Sequence, residues 1–97
     1  MTFAGAAGSH RERPGLLEVW IDHRFLLAFD GRILELFTNG ETTRIHIAYA
    51  PRLEFRGTQK LPRLIIRARF HNISMSYDPA QRPGLEMLDA ALASAAR

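Results

Sequence analysis

The stretch FLLAFDGRILELFTNGETTRIHI, residues 25–47, contains two turn signals, Asp30-Gly31 and Asn39-Gly40, each set between runs of alternating apolar and polar residues. Such a pair between alternating runs predicts a β-hairpin, because glycine accepts the backbone geometry of a tight turn. With Asp30-Gly31 as a two-residue loop, Phe29 faces Arg32, Leu27 faces Leu34 and Phe25 faces Leu36. With Asn39-Gly40 treated alike, Leu36 faces Thr43, Leu34 faces Ile45 and Arg32 faces Ile47. Both registers place Phe25, Leu27, Phe29, Leu34, Leu36, Ile45 and Ile47 on one side. Side chains on a strand alternate faces, so this agreement predicts a meander with one buried face. On the other face Glu35 falls opposite Arg44, a cross-strand ion pair.

The pattern extends both ways. Upstream, Leu17, Val19 and Ile21 alternate with Glu18, Trp20 and Asp22. Asp22-His23 is either a turn or a bend in one long strand reaching Phe29. Downstream, a loop over residues 57–62 pairs Phe55 with Leu64 and Leu53 with Ile66, and His71-Asn72 as a turn pairs Phe70 with Ile73, Ala68 with Met75 and Ile66 with Tyr77. Asp78-Pro79 ends the sheet, since Asp can cap a helix that has Pro in its first turn. Leu85, Leu88, Leu92 and Ala95 then recur at helical spacing, predicting a helix over about residues 80–96. Its regular part starts at Pro79 or only at Pro83-Gly84. The expected fold is α+β and mainly β: about seven antiparallel strands in two sheets (4+3), capped by one C-terminal helix.

That order resembles the pleckstrin-homology-like (PH-like) superfold, in which two nearly orthogonal antiparallel sheets form a barrel or sandwich plugged by a helix. The stretch FDGRILELFTNGETTRIHIA, residues 29–48, is similar to the first hairpins of small bacterial PH-like domains. The resemblance covers about residues 16–96 and implies a binding module. The basic motif of phosphoinositide-binding members is not matched: the first hairpin offers Arg24 and Arg32 beside Asp22 and Asp30, and the only tryptophan is Trp20, not a residue of the helix. The resemblance therefore does not imply phosphoinositide recognition, and the fold hosts lipid, peptide and protein binders alike.

At 97 residues the chain is expected to form a single domain over residues 16–97, and its 46% hydrophobic content suffices for a core. Residues 1–15 lack an apolar run and read as a disordered leader rather than a secretory signal. The absence of cysteine removes disulfides and thiolate metal sites and fits a cytoplasmic location.

Charge is unevenly placed. Residues 43–70 hold Arg44, Arg52, Arg56, Lys60, Arg63, Arg67 and Arg69 against Glu54 alone, a local charge of +6, while the remainder, with six basic and nine acidic residues, carries −3. In the register above Arg52 lies opposite Arg67 and Arg56 opposite Arg63, with Arg69 one step along, all facing away from the core. Like charges placed opposite each other are unfavourable, so Arg52, Arg56, Arg63, Arg67 and Arg69 form a candidate docking face for an acidic protein segment, an anionic membrane surface or another polyanion. A solvated face counter-charged by Glu54 and neighbouring acids is the alternative.

The outer face of the first meander carries Leu26, Ala28, Ile33 and Phe37 near Trp20. Trp20, Leu26, Ile33 and Phe37 are the candidate apolar interface, for a protein partner or for a second copy in a homodimer, unless the N-terminal segment folds over them. An open sheet edge is a further route to a peptide strand. Nucleic acid is a poor fit, because no outward aromatic residue is interleaved with the arginines to stack bases. His10, His23, His46 and His71 have no metal-ligand spacing, so no metal and no cofactor are expected. No nucleophile–base pairing, phosphate-binding glycine loop or small-molecule substrate site is evident, so the chain is read as non-catalytic. The leading function is a protein-interaction module working through an outer sheet face or edge. The alternative is peripheral binding to anionic lipid or another polyanion.

Overall fold

A computed structural model describes residues 16–96; the N-terminal leader expected over residues 1–15, with His10, and the last residue lie outside them. Seven strands follow in order: β1 (Leu17–Trp20), β2 (Leu26–Phe29), β3 (Ile33–Thr38), β4 (Glu41–His46), β5 (Arg52–Gly57), β6 (Pro62–Ala68) and β7 (His71–Ser76). A helix, α1 (Arg82–Ala95), completes the chain. The strands form two antiparallel sheets, β1-β2-β3-β4 and β5-β6-β7, rather than one closed barrel.

The β3–β4 and β5–β6 registers are the expected ones, with Leu34 opposite Ile45, Leu36 opposite Thr43, Leu53 opposite Ile66 and Phe55 opposite Leu64. The β2–β3 register differs by two. Phe29 pairs with Leu34 and Leu27 with Leu36, not with Arg32 and Leu34. The cause is local. The Asp30 carboxylate accepts the N–H groups of Arg32 and Ile33, each at 2.9 Å, so the turn takes up more chain than a two-residue loop. A shift of two preserves every face, so the buried set survives the correction.

The β6–β7 turn is also displaced. It falls at Arg69-Phe70 rather than His71-Asn72, pairing Ala68 with His71, Ile66 with Ile73 and Leu64 with Met75. A short 3-10 turn, Ile47–Tyr49, holds it there: the Arg69 N–H donates to the Tyr49 carbonyl at 2.9 Å, and the Phe70 ring meets Tyr49 edge-on at 5.7 Å. Phe70, expected inside, is therefore 75% exposed at the hairpin tip. At the other end Asp22 resolves the open choice between bend and turn. Its carboxylate accepts the N–H groups of Arg24 (2.7 Å) and Phe25 (3.0 Å), and the chain reverses so that β1 and β2 pair.

Both proposed helix starts are used. Asp78 accepts the Ala80 N–H at 3.0 Å and caps a 3-10 turn, Pro79–Gln81; α1 follows with Pro83 in its first turn. Leu85, Leu88 and Leu92 are completely buried, whereas Ala95, expected to continue the stripe, is exposed. The helix packs on β1 and β5, the first strand of each sheet. Close approach to β1 suits Gly84, where a Cβ would lie 3.0 Å from Val19 Cγ1. The core combines Val19, Leu27, Phe29, Leu34, Leu36 and Ile45 of the first sheet with Leu53, Leu64 and Ile66 of the second and the three helix leucines.

Leu34 is 1% exposed within this core. Leu34→Asp buries an unpaired charge there, a loss expected to exceed about 4 kcal/mol and to consume most of the stability of a small domain. Circular dichroism should show no cooperative thermal transition for this variant; a melt near the wild-type temperature would contradict the meander register.

Candidate functional site

The outer face of the second sheet brings four of the five predicted arginines together. Arg52, Glu54 and Arg56 project from β5; Arg63, Ile65 and Arg67 from β6; Asn72, Ser74 and Ser76 from β7. Arg52 lies opposite Arg67 and Arg56 opposite Arg63, as expected. Arg69 does not join them, because the displaced turn removes it from the strand.

The face is wired to carboxylates. Arg67 grips Glu54 with two hydrogen bonds, at 2.9 and 3.2 Å, and Arg56 approaches the same carboxylate at 3.6 Å. These hydrogen bonds and charges, Arg67 first, hold the Glu54 carboxyl below its usual range. Arg52 turns to the helix and makes a two-pronged contact with Asp89 at 2.7 and 2.8 Å, and the Leu53 N–H donates to Asp89 at 2.9 Å. Burial pushes the Asp89 carboxyl up, but the Arg52 hydrogen bonds, the Leu53 N–H and the Arg52 charge together bring it below the ordinary value. Arg63 donates to the Ser74 hydroxyl at 2.9 Å. Among the described residues only Arg63 and Arg69 of the predicted five have no carboxylate within ion-pair distance. The fork geometry of arginine suits these two-pronged contacts, and they relieve the expected repulsion.

The outer face of the first sheet is ordered in rungs. Trp20, Leu26 and Phe37 align across β1, β2 and β3; Glu18, Ala28, Glu35 and Arg44 align in the next rung; Ile33 lies opposite His46. The predicted Glu35–Arg44 ion pair is present at 2.8 Å. Leu26, named with Trp20, Ile33 and Phe37 as an outward apolar residue, faces away from the main core yet is only 5% exposed. It lies between two large aromatic residues in its rung. Ile33 and Phe37 are half-buried, and Trp20 alone of the four is 37% exposed.

Among the described residues the edge strands are β1 and β4 of the first sheet and β5 and β7 of the second; α1 packs on β1 and β5, and β4 and β7 have no helix against them. The β4 edge carries Glu41 and Arg44. The β7 edge, HNISMS, has no formally charged residue, no proline and no glycine. Because the β6–β7 turn has two residues, Ala68 and His71 form the hydrogen-bonded closing pair, and Asn72, Ser74 and Ser76 direct their N–H and C=O groups away from β6.

A feature not legible in the sequence is a cleft of about 490 Å³ where the β5–β6 loop meets the start of α1. Phe55, Arg56, Gly57, Thr58, Tyr77 and Arg82 are among its walls. The Arg82 guanidinium lies over the Phe55 ring at 4.2 Å and donates to Tyr77 Oη at 3.2 Å and to Glu86 at 3.0 Å, while Tyr77 meets Phe55 edge-on at 5.6 Å. Gly57 shapes the loop: its φ is +83°, and a Cβ would collide with the Leu61 carbonyl. The sequence signal that points to this site is the i, i+4 spacing of Arg82 and Glu86 beside the loop over residues 57–62.

Among the described residues no three His, Asp or Glu side chains converge as metal ligands, and no helix is long and apolar enough to cross a membrane. His46 has a local role, its Nδ1 accepting the Ala48 N–H at 3.0 Å. Compared with known proteins, the chain matches no family model, no curated protein and no solved structure.

The Arg52–Asp89 contact ties α1 to β5 and has a pH signature. Asp89 has a lowered pKa in the folded state, so its contribution is complete above the unfolded carboxylate pKa and disappears as pH falls through the lower folded value. Asp89→Asn should lower the melting temperature at pH 7 by several degrees, as expected for a loss of about 1–2 kcal/mol in a chain of this size. Its deficit should shrink as acid protonates Asp89 in the wild type. A deficit that stays constant from pH 7 to pH 2 would show that the ion pair contributes nothing to stability.

Proposed function

We propose that this chain is a non-catalytic, cytoplasmic interaction module of PH-like type that accepts an extended strand along the open edge of β7, with a second copy of itself as the best-matched partner. The four-plus-three strand order and single C-terminal helix support the PH-like reading. The observation that carries the interaction is the neutrality of β7. Natural sheets usually protect an edge with charge, proline, a bulge or a covering element. β7 carries no formal charge, proline or glycine, whereas β4 is charged. Antiparallel pairing of β7 with its own copy sets only His, Asn, Ile, Ser and Met against one another, so no formal like-charge pair forms at neutral pH. Phe70, in the turn just before the strand, adds an exposed apolar surface beside the seam.

The apolar face of the first sheet ranks second as a docking surface, since Trp20, Ile33 and Phe37 remain partly accessible while Leu26 is buried between its neighbours. Peripheral binding to an anionic surface through Arg52, Arg56, Arg63, Arg67 and Arg69 ranks third. Its support is weakened because Arg52 and Arg67 are held by Asp89 and Glu54, and Arg69 lies away from the sheet.

Ser74 tests the edge directly, because its N–H faces outward and proline there removes an edge donor without removing a bond to β6. Light scattering over a concentration series should give a dimer for the wild type and a monomer for Ser74→Pro, with the thermal transition of the variant retained. Equal masses for the two proteins at every concentration would sink self-association through β7.

A further inference from the structure

The cleft between the β5–β6 loop and α1 is independent of the β7 edge, and its chemistry is different. Two guanidinium groups, Arg56 and Arg82, contribute to its lining, and none of its lining residues carries a carboxylate. The floor is apolar, from Phe55 and Tyr77, and the rim is polar, from Thr58 and Gln59. An apolar floor with a few converging polar groups is the usual composition of a small-ligand site, and about 490 Å³ falls in the usual size range.

Arg82 is held ready. Its Nε is bound to Glu86, one amino nitrogen (Nη1) is bound to Tyr77 Oη, and its plane is supported by the Phe55 ring. These contacts fix the guanidinium while Nη2 has no partner among the described residues. Immobilising a flexible arginine before a ligand arrives removes part of the entropy loss of binding. Arg56 is held less firmly. Its 3.6 Å approach to Glu54 is a long one, and Glu54 is already bound twice by Arg67. Arg56 can therefore turn to an incoming anion without stripping Glu54 of its counter-charge.

A compact anion with several oxygen acceptors and up to two negative charges fits two guanidinium groups with adjacent hydroxyl and amide donors. A phosphate monoester meets that description, with a charge between about −1.5 and −2 at neutral pH. We propose that this cleft binds the phosphate of a monoester, with Arg82 as the fixed anchor, Arg56 as the mobile clamp, and Thr58 and Gln59 at the rim. The same group is presented by a soluble sugar or glycerol phosphate and by a phosphatidate headgroup.

The test uses the full chain and amide NMR. Glycerol 3-phosphate and inorganic phosphate are titrated at constant ionic strength, with sodium chloride as the control. Co-sedimentation with vesicles of phosphatidylcholine alone, or containing phosphatidic acid, forms the second arm. Saturable shifts confined to Gly57, Thr58, Gln59, Tyr77 and Arg82 are expected for a soluble ester. Arg82→Gln and Arg56→Gln should each weaken binding about tenfold or more, the size expected for losing a charged hydrogen-bonding group. Arg82→Lys, which keeps the charge but not the fork, should fall between wild type and Arg82→Gln, and thermal melts of all variants establish that they fold. Sedimentation with phosphatidic acid vesicles alone, lost in Arg82→Gln but retained in Arg52→Gln, supports the site with a lipid as the source. Three results overturn the proposal: no binding in either arm, shifts spread evenly over the arginine face, or affinity unchanged in folded Arg82→Gln. None of these bears on dimerisation through β7, so the two readings fail separately.

Discussion

Two sheets that do not close on each other leave an apolar seam, and the seam must be covered for either sheet to keep its inner face dry. Leu85, Leu88 and Leu92 do this. Each is completely buried, and complete burial of a leucine is worth about 1.5–3 kcal/mol. The helix reaches both sheets because it lies on β1 and β5. Gly84 permits the approach on one side, and Asp89 ties the other by accepting from both the Arg52 side chain and the Leu53 backbone. With α1 so placed, the four-stranded and three-stranded sheets share one core.

Helix position also decides the electrostatics. The opposed Arg52 and Arg67 would repel in an isolated second sheet. In the folded chain one is drawn to the helix by Asp89 and the other across the sheet by Glu54. The basic face is thus an organised structural surface. The same placement brings Arg82 and the nearby Tyr77 against Phe55, which comes from the distant strand β5. The cleft there exists because the first turn of α1 and the β5–β6 loop are held side by side.

Exposure is distributed in a way that separates binding from stability. The core stripe of α1 and the inner faces of the sheets leave no room for a partner. What faces outward is different in kind on each side: an aromatic rung on the first sheet, paired charges on the second, and a neutral strand edge at β7. Neutral edges invite pairing because backbone donors and acceptors there have no strand to satisfy them. The exposed ring of Phe70 beside that edge follows from the same turn that anchors β7 to Tyr49.

The alternation of apolar residues determined the strands, the faces and the identity of most of the core. That information is local, and the two-residue period of a strand makes it robust: the displaced turns at Asp30 and at Arg69-Phe70 changed partners by even numbers, so inward residues stayed inward wherever they remained in a strand. Turn position was less legible. At Asp30 the side chain captured two N–H groups, which is local but competes with several turn types. At Arg69 the decision came from Tyr49, twenty positions earlier, so Phe70 and Arg69 left the places that periodicity assigned them. The candidate site was legible only in part. Arg52, Arg56, Arg63 and Arg67 shared a face with Glu54 as alternation required, but the Arg52–Asp89 contact and the Arg82–Phe55–Tyr77 cleft depended on where the helix docked. Periodicity along one strand or helix records which side of an element faces the core. It does not record which distant element will stand against that side, because that choice is made by the packing of whole elements.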